Sequence, residues 1–178
     1  MSDLLTPLWN LCRLRGGPQD FPWSPRLLLG LVVVDVALDG AVGAWLGTDA
    51  RILIASATAT LALLAFLYVL LSAHQRGARF VQSAIALTTA ALFFSVLAIP
   101  AQFVLPTMPA DPALLTPAQG LALTYVAALS GWSLVISAHV LRHALERSFP
   151  YGLMLAVVMN LTAGLTAQWA ALPATASP

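Results

Sequence analysis

The chain contains no lysine and one cysteine, and only 8% of its residues are charged. A soluble domain carries roughly 25% charged residues, so these side chains cannot cover a water-facing surface of ordinary size. Cys12 alone excludes an internal disulfide and a cysteine-based zinc or iron–sulfur centre. The formal net charge is +1, and no basic field marks nucleic acid as a partner. Catalytic signatures are missing as well: HExxH, GxSxG and GxxxxGK followed by Ser or Thr do not occur. Gly16-Gly17-Pro18-Gln19-Asp20 is glycine-rich but lacks the Lys and hydroxyl residue of a phosphate loop, and a proline occupies its turn. No acid–base–nucleophile set is visible, so neither an enzyme nor a cofactor or metal is expected.

What is abundant is apolar. Of 178 residues, 60% are hydrophobic and the mean hydropathy is +0.87. The apolar residues fall in runs of about 20, enough to cross a ~30 Å hydrocarbon core as helices. Five spans follow: Arg26–Gly47, Ile52–Leu71, Val81–Ile99, Gly120–Leu141 and Tyr151–Leu172. Ser24-Pro25 places an N-cap before a first-turn proline, and Thr116-Pro117-Ala118-Gln119 adds a capping-box Gln. The fold class is therefore all-α, a polytopic transmembrane helical bundle. Residues 1–24 form an interfacial N-terminal segment, 25–173 the membrane domain and 174–178 a short tail. No cleavable signal peptide is visible, and targeting is assigned to the first membrane helix.

Arginine placement orients the bundle. Arg13, Arg15 and Arg26 precede or open span one, Arg76 and Arg79 follow span two, and Arg142 and Arg147 follow span four. The other side holds only Arg51. The positive-inside rule then puts the N-terminus in the cytoplasm and the C-terminus outside. An all-arginine, Ala- and Leu-rich chain fits a GC-rich bacterial genome, hence the bacterial inner membrane as location.

Before span one, Pro7 to Arg15 reads as a short helix with Leu8, Leu11 and Cys12 on one face and Arg13 off it. Trp9 suits the headgroup level, and Arg13 and Arg15 can reach lipid headgroups. This segment is either a surface lead-in lying flat on the bilayer or a docking surface. Gly16-Gly17-Pro18 ends it. Leu105–Pro117 reads as an external Pro-rich loop whose only charge is Asp111.

Asp35 and Asp39 lie inside span one at i, i+4, on one helix face continued by Gly43 and Gly47. A carboxylate at mid-helix costs roughly 2.5–3.5 kcal/mol on insertion scales, so it should face the bundle or water. Two roles are open: a proton or cation site, or a structural polar contact. Asn160, Gly164 and Gln168 repeat the spacing in span five. Asn160 is as deep as Asp35, which predicts that the two stripes face each other and that Asn160 partners Asp35. His139 and His143, i and i+4 near the inner end of span four, and His74 near that end of span two share one level. They read as interfacial histidines beside Arg142 and Arg147; a metal or haem site would need neutral imidazoles aimed at one point.

The segment from Leu14 to Pro25, with its Gly-Pro-Gln-Asp core, resembles the stretch before the first helix of small uncharacterised proteobacterial inner-membrane proteins. The five-span plan with a cytoplasmic N-terminus is similar to the Yip1 family, with a loose likeness around Trp132–Tyr151; the Tyr-Gly motifs of that family are absent from spans two and three, and Pro150-Tyr151-Gly152 stands elsewhere. That resemblance implies a non-enzymatic protein acting through partners or bilayer shape, and it assigns no functional residue. The expected function is thus partner binding or membrane organisation in the lipid bilayer, with another membrane protein as partner and homo-oligomers compatible with it. The alternative is a small proton- or cation-coupled transporter built around Asp35 and Asp39.

Overall fold

A computed structural model describes residues 2–47, 51–105 and 115–172. Its helices are α1 Ser2–Cys12, α2 Pro25–Trp45, α3 Arg51–Ala73, α4 Phe80–Gln102, α5 Pro117–Leu145 and α6 Phe149–Ala171, with 3-10 turns at Pro18–Asp20 and Gly77–Arg79. No strand occurs among the described residues. Helices α2 to α6 are long and apolar enough to cross a membrane, and the chain is a multi-pass membrane protein with an all-α bundle. The expected connection between the first two spans falls on residues 48–50, and most of the Pro-rich loop with Asp111 falls on 106–114; both lie outside the described residues.

The helix starts follow their caps. The Ser24 hydroxyl accepts the Leu27 N–H at 3.3 Å, with Pro25 in the first turn. At α5, the Thr116 hydroxyl accepts from the Gln119 N–H while the Gln119 side chain accepts from the Thr116 N–H, a reciprocal box. Observed spans differ from the expected ones mainly at ends. The largest extension is in α5, which runs to Leu145 and holds 29 residues. At 1.5 Å per residue it is about 44 Å long, longer than the ~30 Å hydrocarbon core, so its ends stand in the interface.

Around the bundle the order is α2, α3, α6, α5, α4 and back to α2, with α4 also touching α3. α4 is the most enclosed helix: every residue from Ser83 to Ala90 is buried. Its small residues Ala84, Ala86 and Ala90 let neighbours approach closely, which is what drives packing where lipid is as apolar as the helices themselves. Gly152 of α6 does the same against α5, where an added Cβ would stand 2.5 Å from the Ala138 carbonyl oxygen. Exposed tryptophans mark the two interfaces, Trp9 and Trp23 at the Arg-rich end and Trp45 and Trp169 at the other.

Three helices stop at the Arg-rich end in the same way. Leu14, Gln75 and Glu146 have φ of 57°, 58° and 54°, the left-handed region that usually calls for glycine. In each case the next N–H returns to the carbonyl five residues back: Arg15 to Asn10, Arg76 to Leu71 and Arg147 to Arg142. These are Schellman closures without a glycine. The first corrects the expected N-terminal helix: it ends before Leu14, not at Arg15, and it begins at Ser2 with Pro7 inside.

The orientation expected for α1 is corrected too. Leu8 is 9% exposed and Leu11 fully buried, in one cluster with Phe21 and the buried residues of α4 and α5. The apolar face packs on the bundle and does not lie on lipid, while Trp9, Arg13 and Arg15 point outward. An amphipathic face is satisfied equally by protein and by bilayer, and here the ends of α4 and α5 offer the protein surface.

Candidate functional site

Two polar layers are built on this frame. The first lies in the apolar middle. Asp35 is the eleventh residue of α2 and 8% exposed, about 15 Å from the helix start at 1.5 Å per residue. The Thr60 hydroxyl of α3 donates to Asp35 Oδ2 at 3.1 Å. Thr60 is about 13 Å from the start of α3 at the opposite end, so the pair meets near the bilayer middle. One turn outward, the Ser56 hydroxyl donates to Asp39 Oδ2 at 2.6 Å. The two carboxyls at i, i+4 are thus met by two hydroxyls at i, i+4 on the next helix.

This corrects the pairing with Asn160. α3 stands between α2 and α6, and the Asn160 amide donates to the Ala156 carbonyl of its own helix at 2.8 Å. Equal depth is no guarantee of contact when the order of helices around the bundle is unknown. Asn160 instead borders a cavity of about 300 Å³ between α4, α5 and α6, with Ser95, Gln102, Ser130 and Ser133. Gln168 is exposed. Gly43 is buried on the expected face, whereas Gly47 has left the helix with φ 69°. Asp35 borders a cavity of about 120 Å³ with Thr60, Leu63, Thr88 and Ala163, and Asp39 one of about 340 Å³ with Ser56, Gln102 and Ala167.

The second layer is ionic and sits at the Arg-rich end. Glu146 Oε1 lies 2.5 Å from both Arg76 Nη1 and Arg79 Nη2, and its Oε2 accepts from Arg76 Nη2 at 2.6 Å. The two guanidiniums hold the Glu146 carboxyl at about 2, well below its ordinary 4.5. Arg79 Nη1 also donates to the His143 and Ala144 carbonyls, closing the end of α5. One carboxylate therefore ties the α3–α4 loop to the α5–α6 loop. Arg13, Arg15, Arg26 and Arg147 are exposed at this end, and Arg13 stacks over Trp9 at 5.9 Å.

The N-terminal segment is bound into this layer. His139 is 2% exposed and its Nε2 donates to the Gly16 carbonyl at 2.8 Å, which fixes the Nε2–H tautomer. Gln82 Nε2 donates to the Phe21 carbonyl at 2.9 Å, and the Asp20 carboxylate caps the Gly17 N–H at 2.8 Å. His139 is thus a buried anchor within the layer at this end; His143 lies beside it at 4.6 Å between ring centres. His74 goes elsewhere, with Nδ1 at the Leu70 carbonyl and Nε2 3.4 Å from the Tyr151 hydroxyl. Among the described residues no three His, Cys, Asp or Glu side chains converge as a metal site would need.

Sequence reasoning passed over Ser56, Thr60 and Glu146. A signal existed for each: a carboxyl in hydrocarbon needs a donor at its depth, and Glu146 is the chain's one glutamate, placed between arginine-bearing loops. No protein-family model, curated protein or solved structure matches the chain.

Proposed function

We propose that this is a non-enzymatic protein of the bacterial inner membrane, with its N-terminus in the cytoplasm, that works by binding another membrane protein or anionic lipid surface at its arginine-rich end. The observation that carries this reading is the construction of that end. Glu146, Arg76 and Arg79 brace two loops, the segment around Gly16–Phe21 is hydrogen-bonded to α4 and α5, and four arginines stand exposed on the braced surface. A preorganised basic surface meets an acidic partner with less ordering entropy to lose than a loose tail.

The test is site-specific photocrosslinking in living cells from position 9, with and without Arg13→Glu and Arg15→Glu. The reading predicts a discrete protein or lipid adduct that the double reversal removes. Absence of any adduct, or one indifferent to reversal, rejects it. Reporter fusions at the C-terminus and after Arg76 test the orientation: an active periplasmic reporter at the C-terminus is expected, and a silent one there refutes it.

A second reading has its own observation. Asp35 and Asp39 both border cavities between α2, α3, α4 and α6, as a proton- or cation-coupled carrier requires. It predicts that Asp35→Asn folds normally yet loses function in vesicles, whereas the binding reading predicts an unaffected variant.

A further inference from the structure

Beneath the braced loops lies a cavity of about 290 Å³ bordered by Pro18, Arg79, Gln82, Ser83, His143 and Glu146. Arg79, Gln82 and Ser83 belong to the start of α4, where the helix dipole is positive. Ser83 is fully buried, and its hydroxyl has no hydrogen-bond partner in the protein. A buried hydroxyl left unpaired costs free energy, and this one borders a space large enough for a ligand group. The neighbouring charge is positive on balance: Arg76, Arg79 and Arg142 stand against Glu146 and Asp20. Arg79 spends three N–H groups on Glu146 and the two α5 carbonyls, leaving two of its five donors.

We propose that this cavity is a binding site for a phosphate group, received by the Ser83 hydroxyl, the remaining Arg79 donors and the start of α4. The helix start and the orphaned hydroxyl are independent observations that point to the same anion. The roof is Pro18, from the Gly-Gly-Pro-Gln-Asp turn, which gives that segment a task beyond packing. The phosphate chemistry has two sources at a membrane surface, the headgroup of a phospholipid and a free phosphate ion. The inference stands apart from the partner reading: it holds whether or not any protein docks on the exposed arginines.

The test uses the full chain purified in detergent. One arm adds inorganic phosphate, with chloride at matched ionic strength as control, and follows the melting midpoint. The other titrates short-chain phosphatidylglycerol and counts retained lipid by native mass spectrometry. Ser83→Ala and Arg79→Gln are compared with Ser130→Ala, which lies in the distant cavity. Loss of one hydrogen bond to a charged group predicts about tenfold to hundredfold weaker binding for Ser83→Ala, and at least as much for Arg79→Gln. A response in the first arm identifies free phosphate; a response in the second alone identifies the headgroup. Binding equal in Ser83→Ala and Ser130→Ala, or none in either arm, overturns the proposal. Ser83→Ala decides the matter if Arg79→Gln fails to fold, because alanine is smaller than serine and favours the helix.

Discussion

Replacing Thr60 by valine keeps the shape of the side chain and removes the hydroxyl that serves Asp35. Interhelical hydrogen bonds in membranes average about 0.6 kcal/mol and reach about 1.7. Thr60→Val forfeits that bond and strands a carboxyl that is only 8% exposed, which adds part of a desolvation penalty of about 1–3 kcal/mol. The expected loss is about 1–3 kcal/mol in all. Asp35→Leu should cost less, below about 1 kcal/mol, because the Thr60 hydroxyl can turn to the carbonyl four residues back. Asp35→Asn keeps an acceptor oxygen and should stay within about 0.5 kcal/mol of wild type. Reversible unfolding of the purified protein in mixed micelles gives all three values, and the double variant Thr60→Val with Asp35→Leu completes a cycle. A coupling near zero, or Thr60→Val melting like wild type, would refute the reasoning.

Gly152→Ala should loosen the α5–α6 pair: its Cβ would stand 2.5 Å from the Ala138 carbonyl oxygen, backbone that cannot swing aside. The cost of such overpacking is about 1–3 kcal/mol, read as a lower unfolding midpoint. Gln75→Gly should add up to about 1 kcal/mol of stability, read as a higher midpoint, because Gln75 is exposed and holds φ 58° to close α3. The folded Glu146 carboxyl, at about 2, lies below its ordinary 4.5. The stabilisation it gives is therefore complete above that ordinary value and is lost as pH falls from 4.5 towards 2; the hydrogen-exchange protection of the Arg76–Arg79 loop, taken relative to the intrinsic rate at each pH, should fall in that window and at high salt. Burial pushes the Cys12 thiol up, so a membrane-impermeant maleimide should label it slowly in inverted vesicles and not at all in intact cells; rapid labelling of intact cells contradicts the orientation.

Hydropathy made the spans legible because a helix in hydrocarbon must be apolar over its whole crossing, whatever it packs against. Ser24-Pro25 and Thr116–Gln119 were legible because caps are local, made within four residues. The closures at Leu14, Gln75 and Glu146 were not, since no glycine announces them and the Schellman bonds use only backbone atoms. Asp35 stood out as a residue that needs a partner, but the partner depends on which helix is adjacent. Every span here is apolar on nearly all sides, so the sequence carries little information on neighbours, and depth alone pointed to Asn160. The polar inner layer was invisible for a related reason: His139 to Gly16 and Gln82 to Phe21 bridge 123 and 61 positions of sequence.

The α2–α3 hairpin shows how the carboxyls at 35 and 39 fit the fold. Most of its surface faces outward, with Leu29, Val33, Val34, Leu61 and Val69 exposed. In lipid those side chains give no preference for the bundle, because the bilayer solvates them as well as a neighbouring helix would. What fixes the two helices in register is shape and polarity. Gly40 leaves room for the Leu53 side chain, which an added Cβ would strike. The two hydroxyl–carboxyl bonds follow on the same side of that contact, at one and two turns from it along the hairpin. A slide of either helix by one residue would break both bonds together and bring Leu53 away from the gap. The i, i+4 repeat is therefore what a register device needs, and a single buried polar pair would specify it less sharply. It follows that Ser56→Ala combined with Thr60→Val should do more than add two small losses. The hairpin should lose its unique register, visible as exchange-broadened amide signals for α2 and α3 while those of α4 and α5 stay sharp. Uniform sharpness throughout would mean that Gly40 and Leu53 alone hold the register.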